Sequence, residues 1–273
     1  MYGVCRLTGT RGTFVKSHII PRALTQFGPA NEPTIMINSD KDRPFRRRDG
    51  WYDKHLVNRQ GEDIREEFDS WAIATLRRCH LIWSSWGSRV EVPPPHDQNP
   101  YFGIRMFEDI DPVRLRLFFA SLLWRAAAST LVEFGEITLP PADLETLRQS
   151  LVSRAPLGDK FYPVSLTQLS TRGPDHIRAP FKTDMNIYDD DGNPLGTTPI
   201  FRFYFDGLAA QFWIRAPQPL GVSGVGNEAN LSVFTRPFEG SRQRMDGQAN
   251  MAAARASWPR DMKRLRLDEG PTW

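Results

Sequence analysis

The stretch CRLTGTRGTFVKSHIIPRAL, residues 5 to 24, is predicted to set the architecture of the first part of the chain. Residues 5 to 16 form a predicted β-hairpin, because a small turn at residues 8 to 12 leads into a β-branched and aromatic run. Ser17 and His18 follow this hairpin and precede the tripeptide Ile-Ile-Pro. Cys5, at the start of the stretch, has no second cysteine nearby. A functional interpretation has to explain both the isolated cysteine and the placement of the histidine.

Length and composition limit the class of protein. With 273 residues, of which 40% are hydrophobic and 11% aromatic, the chain can bury the core of one large domain or two small ones. Its mean hydropathy of −0.46 and the lack of an apolar run near ~20 residues argue against a membrane protein. The opening MYGVCRLTG does not have the pattern of a secretory signal, and two cysteines are too few for a disulfide framework. We therefore expect a cytoplasmic protein with no membrane partner.

Basic residues are grouped along the chain, although the net charge is only +3 and the isoelectric point about 9.0. Grouped cations neutralise neighbouring phosphates. The candidate nucleic-acid-binding residues lie in one short segment: Lys41, Arg43, Arg46, Arg47 and Arg48. A second arginine-rich group occupies residues 241 to 273, an extension that is a candidate docking arm for a protein partner. A solvated surface or an acidic partner would explain the same patches.

Residues 1 to 92 are predicted to form a first unit. Residues 26 to 50 have the composition of a loop with one short strand at residues 35 to 37. Residues 62 to 82 place apolar side chains three and four positions apart, as on one face of a helix. Three consecutive prolines at residues 93 to 95 mark the boundary of this unit.

Residues 100 to 240 are predicted to form a second unit, in which helices pack on an antiparallel sheet. Asp111 and Pro112 are typical of a helix start. The sequence that follows them is apolar on most of a helix circumference, which predicts a central, buried helix. A further helix is predicted from residue 140 to about residue 153, since Pro140 and Pro141 are favoured at a helix start.

The sheet of the second unit is predicted from its turns. Asp206–Gly207 between two apolar runs is the strongest hairpin signal in the chain, pairing residues 201–205 with residues 209–214. A strand at residues 185–188 leads to another turn at residues 191–193. The sequence therefore predicts an α+β fold.

Residues 5 to 80 resemble a degenerate HNH module, the ββα-metal, treble-clef-like nuclease fold of bacterial and phage-associated proteins. Many proteins of that kind open with a Cys-x-x-Cys hairpin and a histidine in a [Ser/Glu/Asp]-His-Ile-Ile-Pro stretch, here residues 17–21. They continue with an aromatic-Asp-Lys segment, here residues 51–54, then a second Cys-x-x-Cys and an amphipathic helix, here residues 62–79. The resemblance covers the first third of the chain well and the remainder loosely.

In the family, the two Cys-x-x-Cys pairs hold a structural zinc with four thiolates. The corresponding positions here are Cys5, Thr8, Asn58 and Gly61. A tetrahedral zinc site depends on closure by all of its ligands, so we expect no structural zinc and interpret Cys5 as a remnant. Two alternatives stay open: Cys5 is a small buried hydrophobic residue, or Cys79 and His80 join it in a rebuilt site.

The resemblance also implies metal-assisted phosphodiester hydrolysis, in which a histidine deprotonates water and a second residue orients that histidine. By position, His18 is the implied general base, and Asp53, where the family has asparagine, is the residue that orients it. Glu62 and Ser17 are the implied ligands of Mg²⁺ or Mn²⁺, since such cations prefer oxygen. Each residue also has a structural interpretation: a strand-end histidine, an Asx turn at Asp53, and a helix N-terminus at Glu62.

Two functions follow from these assignments. The first is an HNH-like metal-dependent endonuclease, in anti-phage defence or on a mobile element. The second is an HNH-derived protein without catalysis, which binds nucleic acid or protein as a subunit of a larger assembly. Convergence of the Asp53 and Glu62 carboxylates near His18 would favour the first.

Overall fold

The computed structural model describes residues 1–25, 34–37, 45–47, 49–88, 97–98, 103–173, 175–188, 193–214 and 231–241. The strands within these ranges are β1 (Tyr2–Val4), β2 (Arg11–Thr13), β3 (Ser17–His18), β4 (Thr34–Ile37), β5 (Phe45–Arg47), β6 (Tyr52–Asp53), β7 (Asp97–Gln98), β8 (Gly103–Phe107), β9 (Val164–Leu169), β10 (His176–Tyr188), β11 (Pro194–Phe205), β12 (Leu208–Trp213) and β13 (Leu231–Arg236). The α-helices are α1 (Arg59–Arg78), α2 (Pro112–Ala128) and α3 (Pro141–Ser153), and short 3-10 helices occupy Arg22–Leu24, Trp83–Ser85, Val132–Phe134 and Phe238–Gly240.

One sheet contains nine of these strands, in the order β5-β4-β10-β11-β12-β9-β13-β8-β7. Most neighbours are antiparallel, but β4 runs parallel to β10 and β13 runs parallel to β9. The structure therefore shows a chain of mixed α and β content and corrects the predicted antiparallel sheet to a mixed one. A tight turn joins only antiparallel neighbours, whereas a parallel pair needs a longer crossover, and turn chemistry gives no signal for such a pair.

The large sheet takes strands from both sides of the predicted domain boundary. β4 and β5 come from the first 92 residues, yet they form one edge of the sheet whose centre includes β9, β11 and β12. The division into residues 1–92 and 100–240 stays a prediction, and its triple proline lies outside the described residues. Residues 242–273 of the predicted extension, and residues 191–192 of the predicted turn, also lie outside them.

The hairpin of β11 and β12 is confirmed at the predicted turn. Asp206 and Gly207 have φ angles of 50° and 76°, the pair of positive values that a two-residue type I′ turn requires. Phe205 pairs with Leu208 directly beside the turn. A Cβ added to Gly207 would lie 2.4 Å from the indole of Trp83, so this position needs glycine for space as well as for its backbone angle.

Helix α2 begins at the predicted residues and lies at the centre of the core. The side chain of Asp111 caps it by accepting a hydrogen bond from the N–H of Arg114 at 2.9 Å. The side chains that are at most 2% exposed include Leu115, Phe118, Phe119, Leu122, Leu123 and Trp124. Phe119 meets Phe212 of β12 edge to face, with ring centroids 6.4 Å apart, so the helix packs against the sheet. Among the described helices, none is both long enough and apolar enough to cross a bilayer.

The first helix begins slightly earlier than predicted, at Arg59 rather than at residue 62. Asn58 is its cap, because the Asn58 side chain accepts a hydrogen bond from the N–H of Gly61 at 3.1 Å. The predicted third helix is also confirmed, from Pro141 to Ser153. Helix α1 carries Glu62 on its first turn and therefore positions one of the predicted site residues.

Candidate functional site

His18 lies in a separate two-stranded antiparallel ladder made by β3 and β6. Ser17 is paired with Asp53 across this ladder, and His18 is paired with Tyr52. Fully buried apolar residues flank the two strands and seat the ladder on the core: Ile19, Ile20, Trp51 and Leu56.

The ladder has two faces with different surroundings, because successive side chains of a strand point in opposite directions. His18 and Tyr52 share one face, with ring centroids 6.0 Å apart. Ser17 and Asp53 share the other face, where they are 0% and 1% exposed. The structure therefore separates His18 from Asp53, the residue expected to orient it, since the register places them on opposite faces.

Asp53 connects the ladder to the end of α2. Its Oδ1 accepts a hydrogen bond from the backbone N–H of His55 at 2.7 Å, which forms the Asx turn. Its Oδ2 accepts from the N–H and Oγ1 of Thr130 at 2.8 and 2.9 Å, and from Ser129 Oγ at 3.2 Å. Burial alone would raise the pKa of Asp53, but these hydrogen bonds lower it. Both carboxylate oxygens are thus used in a structural connection.

The guanidinium of Arg65 lies between the two residues that were expected to bind a metal ion. Its Nη1 donates hydrogen bonds to Ser17 Oγ and, at 2.7 Å, to Glu62 Oε2. Its Nη2 donates to the carbonyl oxygen of His18 at 2.7 Å. Arg65 is 2% exposed, and burial lowers its pKa to about 10, so it stays charged at neutral pH. The positive charge beneath the ladder is therefore supplied by a side chain of the protein itself.

A second ion pair continues from Arg65 into the core. Asp69 Oδ2 lies 3.8 Å from Nη2 of Arg65 and accepts a hydrogen bond from Nη1 of Arg125 in α2 at 3.0 Å. Arg125 is fully buried, and its Nε donates to Ser121 Oγ at 2.9 Å. The two guanidinium groups balance the carboxylates of Glu62 and Asp69. These four groups therefore leave no net negative charge to attract a divalent cation.

His18 is half-buried and neutral. Its Nε2 is buried, and none of the described residues forms a hydrogen bond with it. Burial lowers the pKa of His18 to about 4, as do the charges of Lys16, Arg65 and Arg22, against an opposing effect of Asp49. The imidazole is therefore uncharged at neutral pH, where it can accept or donate a hydrogen bond, but a group with so low a pKa is a weak base.

Exposed cations surround Tyr52 on the outer face of the ladder. Lys16 Nζ lies 4.1 Å from the centroid of the Tyr52 ring, and Lys54 Nζ lies 5.8 Å from it. Arg46 and Arg47, two of the predicted nucleic-acid-binding residues, belong to β5 at an edge of the nine-stranded sheet. The other three lie outside the described residues: Lys41, Arg43 and Arg48.

Cys5 contacts two of the positions that the resemblance assigns to zinc ligands. Its Sγ accepts a hydrogen bond from the N–H of Thr8 at 3.4 Å and would lie 2.7 Å from a Cβ added to Gly61. The third position, Asn58, donates from its side chain to Thr10 Oγ1 at 3.0 Å. Cys5 is 1% exposed, so protein atoms fill the space around its thiol. The absence of zinc stays a prediction.

The residues expected to bind Mg²⁺ or Mn²⁺ do not fit that role. In the part of the chain that the structure describes, no group of three or more His, Cys, Asp or Glu side chains is placed to hold a metal ion. A dication between Glu62 and Ser17 would also lie against the guanidinium of Arg65, which repels it. Glu62 instead belongs to an ion pair, and Ser17 to a buried hydrogen bond.

Comparisons with known proteins give no match. No family model, no curated protein and no solved structure is similar to the chain at a significant level. The HNH resemblance therefore rests on the motif residues around His18, and the functional interpretation rests on the geometry of the site.

Arg65 is not among the site residues predicted from the sequence, although its spacing offered a signal. Arg65 lies three residues after Glu62 and four before Asp69, which places the three side chains on one face of a helix. On its own, this spacing indicates a solvated row of ion pairs. The burial of Arg65 depends on the contact with β3, which no local pattern predicts. Thr130 gave no signal, because 77 positions separate it from Asp53.

Replacing Arg65 with methionine should lower the free energy of unfolding by about 3–5 kcal/mol, because Glu62 and Ser17 lose the buried donor between them. The matched control is Arg59→Met. Arg59 pairs with Asp63 on the same helix at 2.6 Å but is 70% exposed, so its loss should cost about 1 kcal/mol or less. Urea denaturation followed by circular dichroism measures both, and equal costs would contradict a buried structural role for Arg65.

Replacing Asp53 with asparagine should destabilise the protein at neutral pH. The variant should also lose less stability than the wild type when the pH is lowered. The pKa of Asp53 is lowered in the folded protein. As the pH falls, the Asp53 carboxylate is therefore protonated in the unfolded chain at a higher pH than in the folded protein. The stabilisation is therefore complete above the unfolded pKa of about 4 and is lost as the pH falls below it. Melting temperatures between about pH 7 and about pH 3 measure this effect. The exposed Asp63→Asn variant is the control, and the prediction fails if both variants follow the wild-type pH profile.

Proposed function

We propose that this protein binds nucleic acid through the surface around His18 and does not hydrolyse it, as a non-catalytic derivative of an HNH module. The position of Arg65 is the observation that carries the proposal. Metal-assisted hydrolysis needs a divalent cation at the reacting phosphate to stabilise the developing charge. Because the guanidinium of Arg65 already bonds to Ser17 and Glu62, these two side chains are not free to hold such a cation.

The outer face of the ladder supports binding of a nucleic-acid strand. Lys16, Arg22 and Lys54 are exposed around the partly exposed Tyr52 and the half-buried His18. Lysine and arginine side chains neutralise phosphates, and an aromatic ring offers a surface on which a base can stack. Cations and an aromatic ring on one face are the combination that single-stranded nucleic acid requires.

A metal-dependent endonuclease is the competing proposal, and one observation favours it. The imidazole of His18 is neutral at pH 7, and its buried Nε2 has no hydrogen-bond partner among the described residues. A general base needs an uncharged nitrogen of this kind. That function would also require the ion pair between Glu62 and Arg65 to open.

Fluorescence anisotropy with labelled single-stranded and double-stranded oligonucleotides tests the proposal. We expect binding at low salt that is equal in EDTA and in Mg²⁺, that weakens as salt rises, and that yields no cleavage products. Lys54→Glu should lower the affinity about tenfold or more at low salt and reduce the slope of its salt dependence. Lys160→Glu, which makes the same charge change between α3 and β9, is the control and should have the smaller effect.

Two results would overturn this proposal. Cleavage that EDTA abolishes and His18→Ala removes would establish the endonuclease. Failure to bind either kind of oligonucleotide at low salt would leave the protein-binding subunit as the remaining interpretation of the HNH resemblance.

A further inference from the structure

The carboxylate of Asp49 lies between two exposed cations beside His18. Its Oδ2 is 2.6 Å from Nζ of Lys16, and its Oδ1 is 3.9 Å from Nη2 of Arg22. Lys16 directly precedes β3, Arg22 lies in the 3-10 helix that follows it, and Asp49 lies in the segment that leads into β6. The three charged groups therefore lie in the segments that flank the two strands of the ladder that carries His18.

These groups act electrostatically on the imidazole of His18. The positive charges of Lys16, Arg65 and Arg22 lower the pKa of His18, whereas Asp49 raises it. Three cations thus act on the imidazole, and the carboxylate of Asp49 opposes them. Without Asp49, the outer face of the ladder would present unneutralised cations next to a neutral hydrogen-bonding ring.

We propose that Lys16 and Arg22, beside His18, form a subsite for one backbone phosphodiester, and that the Asp49 carboxylate occupies this subsite in the free protein. This inference rests on the proposed nucleic-acid binding. A carboxylate and a phosphodiester both carry one negative charge shared by two terminal oxygens, so both can bridge a pair of cations. Asp49 then acts as an internal competitor that a bound strand has to displace.

The ion pair of Lys16 and Asp49 is exposed, so a nucleic-acid strand can displace it without unfolding the protein. The side chains of Lys16 and Asp49 are 41% and 39% exposed, and that of Arg22 is 55% exposed. Exposed ion pairs contribute little to stability and weaken with salt. A polyanion offers many phosphates at once and releases counterions when it binds, so exchange of the carboxylate for a phosphodiester is favourable at low salt.

A double-mutant cycle tests the subsite, with oligonucleotide affinity as the measurement. Asp49→Asn should raise the affinity up to about fivefold, the range expected for one exposed charge pair. Asp63→Asn makes the same charge change in an exposed pair with Arg59 and should raise the affinity less. Lys16→Ala should lower the affinity and reduce the salt slope by about one. In the Lys16→Ala background, Asp49→Asn should have a smaller effect, because only the more distant Arg22, at 3.9 Å, then remains as a partner of Asp49.

The outcomes separate the subsite from the proposed function. If the wild type binds oligonucleotides but Asp49→Asn has no larger effect than Asp63→Asn, or keeps its full effect without Lys16, the subsite is overturned and the function stands. If the wild type binds no oligonucleotide, the function is overturned, and titration with inorganic phosphate decides the subsite. Tighter phosphate binding by Asp49→Asn, reversed by Lys16→Ala, would support it, and equal binding by all variants would overturn it. Unchanged melting temperatures show that each variant is folded.

Discussion

The buried guanidinium of Arg65 is the interaction on which the rest of the site depends. It joins α1 to β3 through Ser17, Glu62 and the carbonyl of His18, and Asp69 extends the contact to α2. An ion pair in this position is assembled as the chain folds and needs no ion from solution. Removal of one partner of a buried pair leaves an uncompensated charge, so this arrangement holds the helix against the ladder, and the positive charge of Arg65 opposes the entry of a divalent cation.

The pairing register of the ladder divides the functional residues between interior and surface. Ser17 and Asp53 point inward, where their hydrogen bonds are to Arg65 and to the end of α2. His18 and Tyr52 point outward, among the exposed lysines. Two adjacent residues of one strand therefore have different surroundings: Ser17 belongs to a buried hydrogen-bond network, and His18 lies on the cationic surface that we propose binds nucleic acid.

The parts of the fold that follow from local chemistry could be predicted from the sequence. The Asp206–Gly207 turn needs two positive φ angles, and the Asp111 cap needs one side-chain oxygen, so each is visible in a few residues. The parts that depend on distant partners could not. A shift of one residue in the pairing of β3 with β6 would have exchanged the faces of the ladder, and strands of two residues each are too short for their pattern to predict that register. For the same reason Asp53 was predicted to orient His18, whereas its oxygens bind Thr130 and His55.

The occupation of the site by Arg65 is tested most directly by titrating Mn²⁺ into the wild-type protein and the Glu62→Gln variant, followed by electron paramagnetic resonance. If the guanidinium of Arg65 stays bonded to Ser17 and Glu62, neither protein should bind one equivalent of Mn²⁺ saturably at this site. The two titrations should therefore be identical. One tightly bound Mn²⁺ per wild-type chain that is lost in Glu62→Gln would contradict the account, because it would show that the cation displaces Arg65 and that the carboxylate is a metal ligand after all.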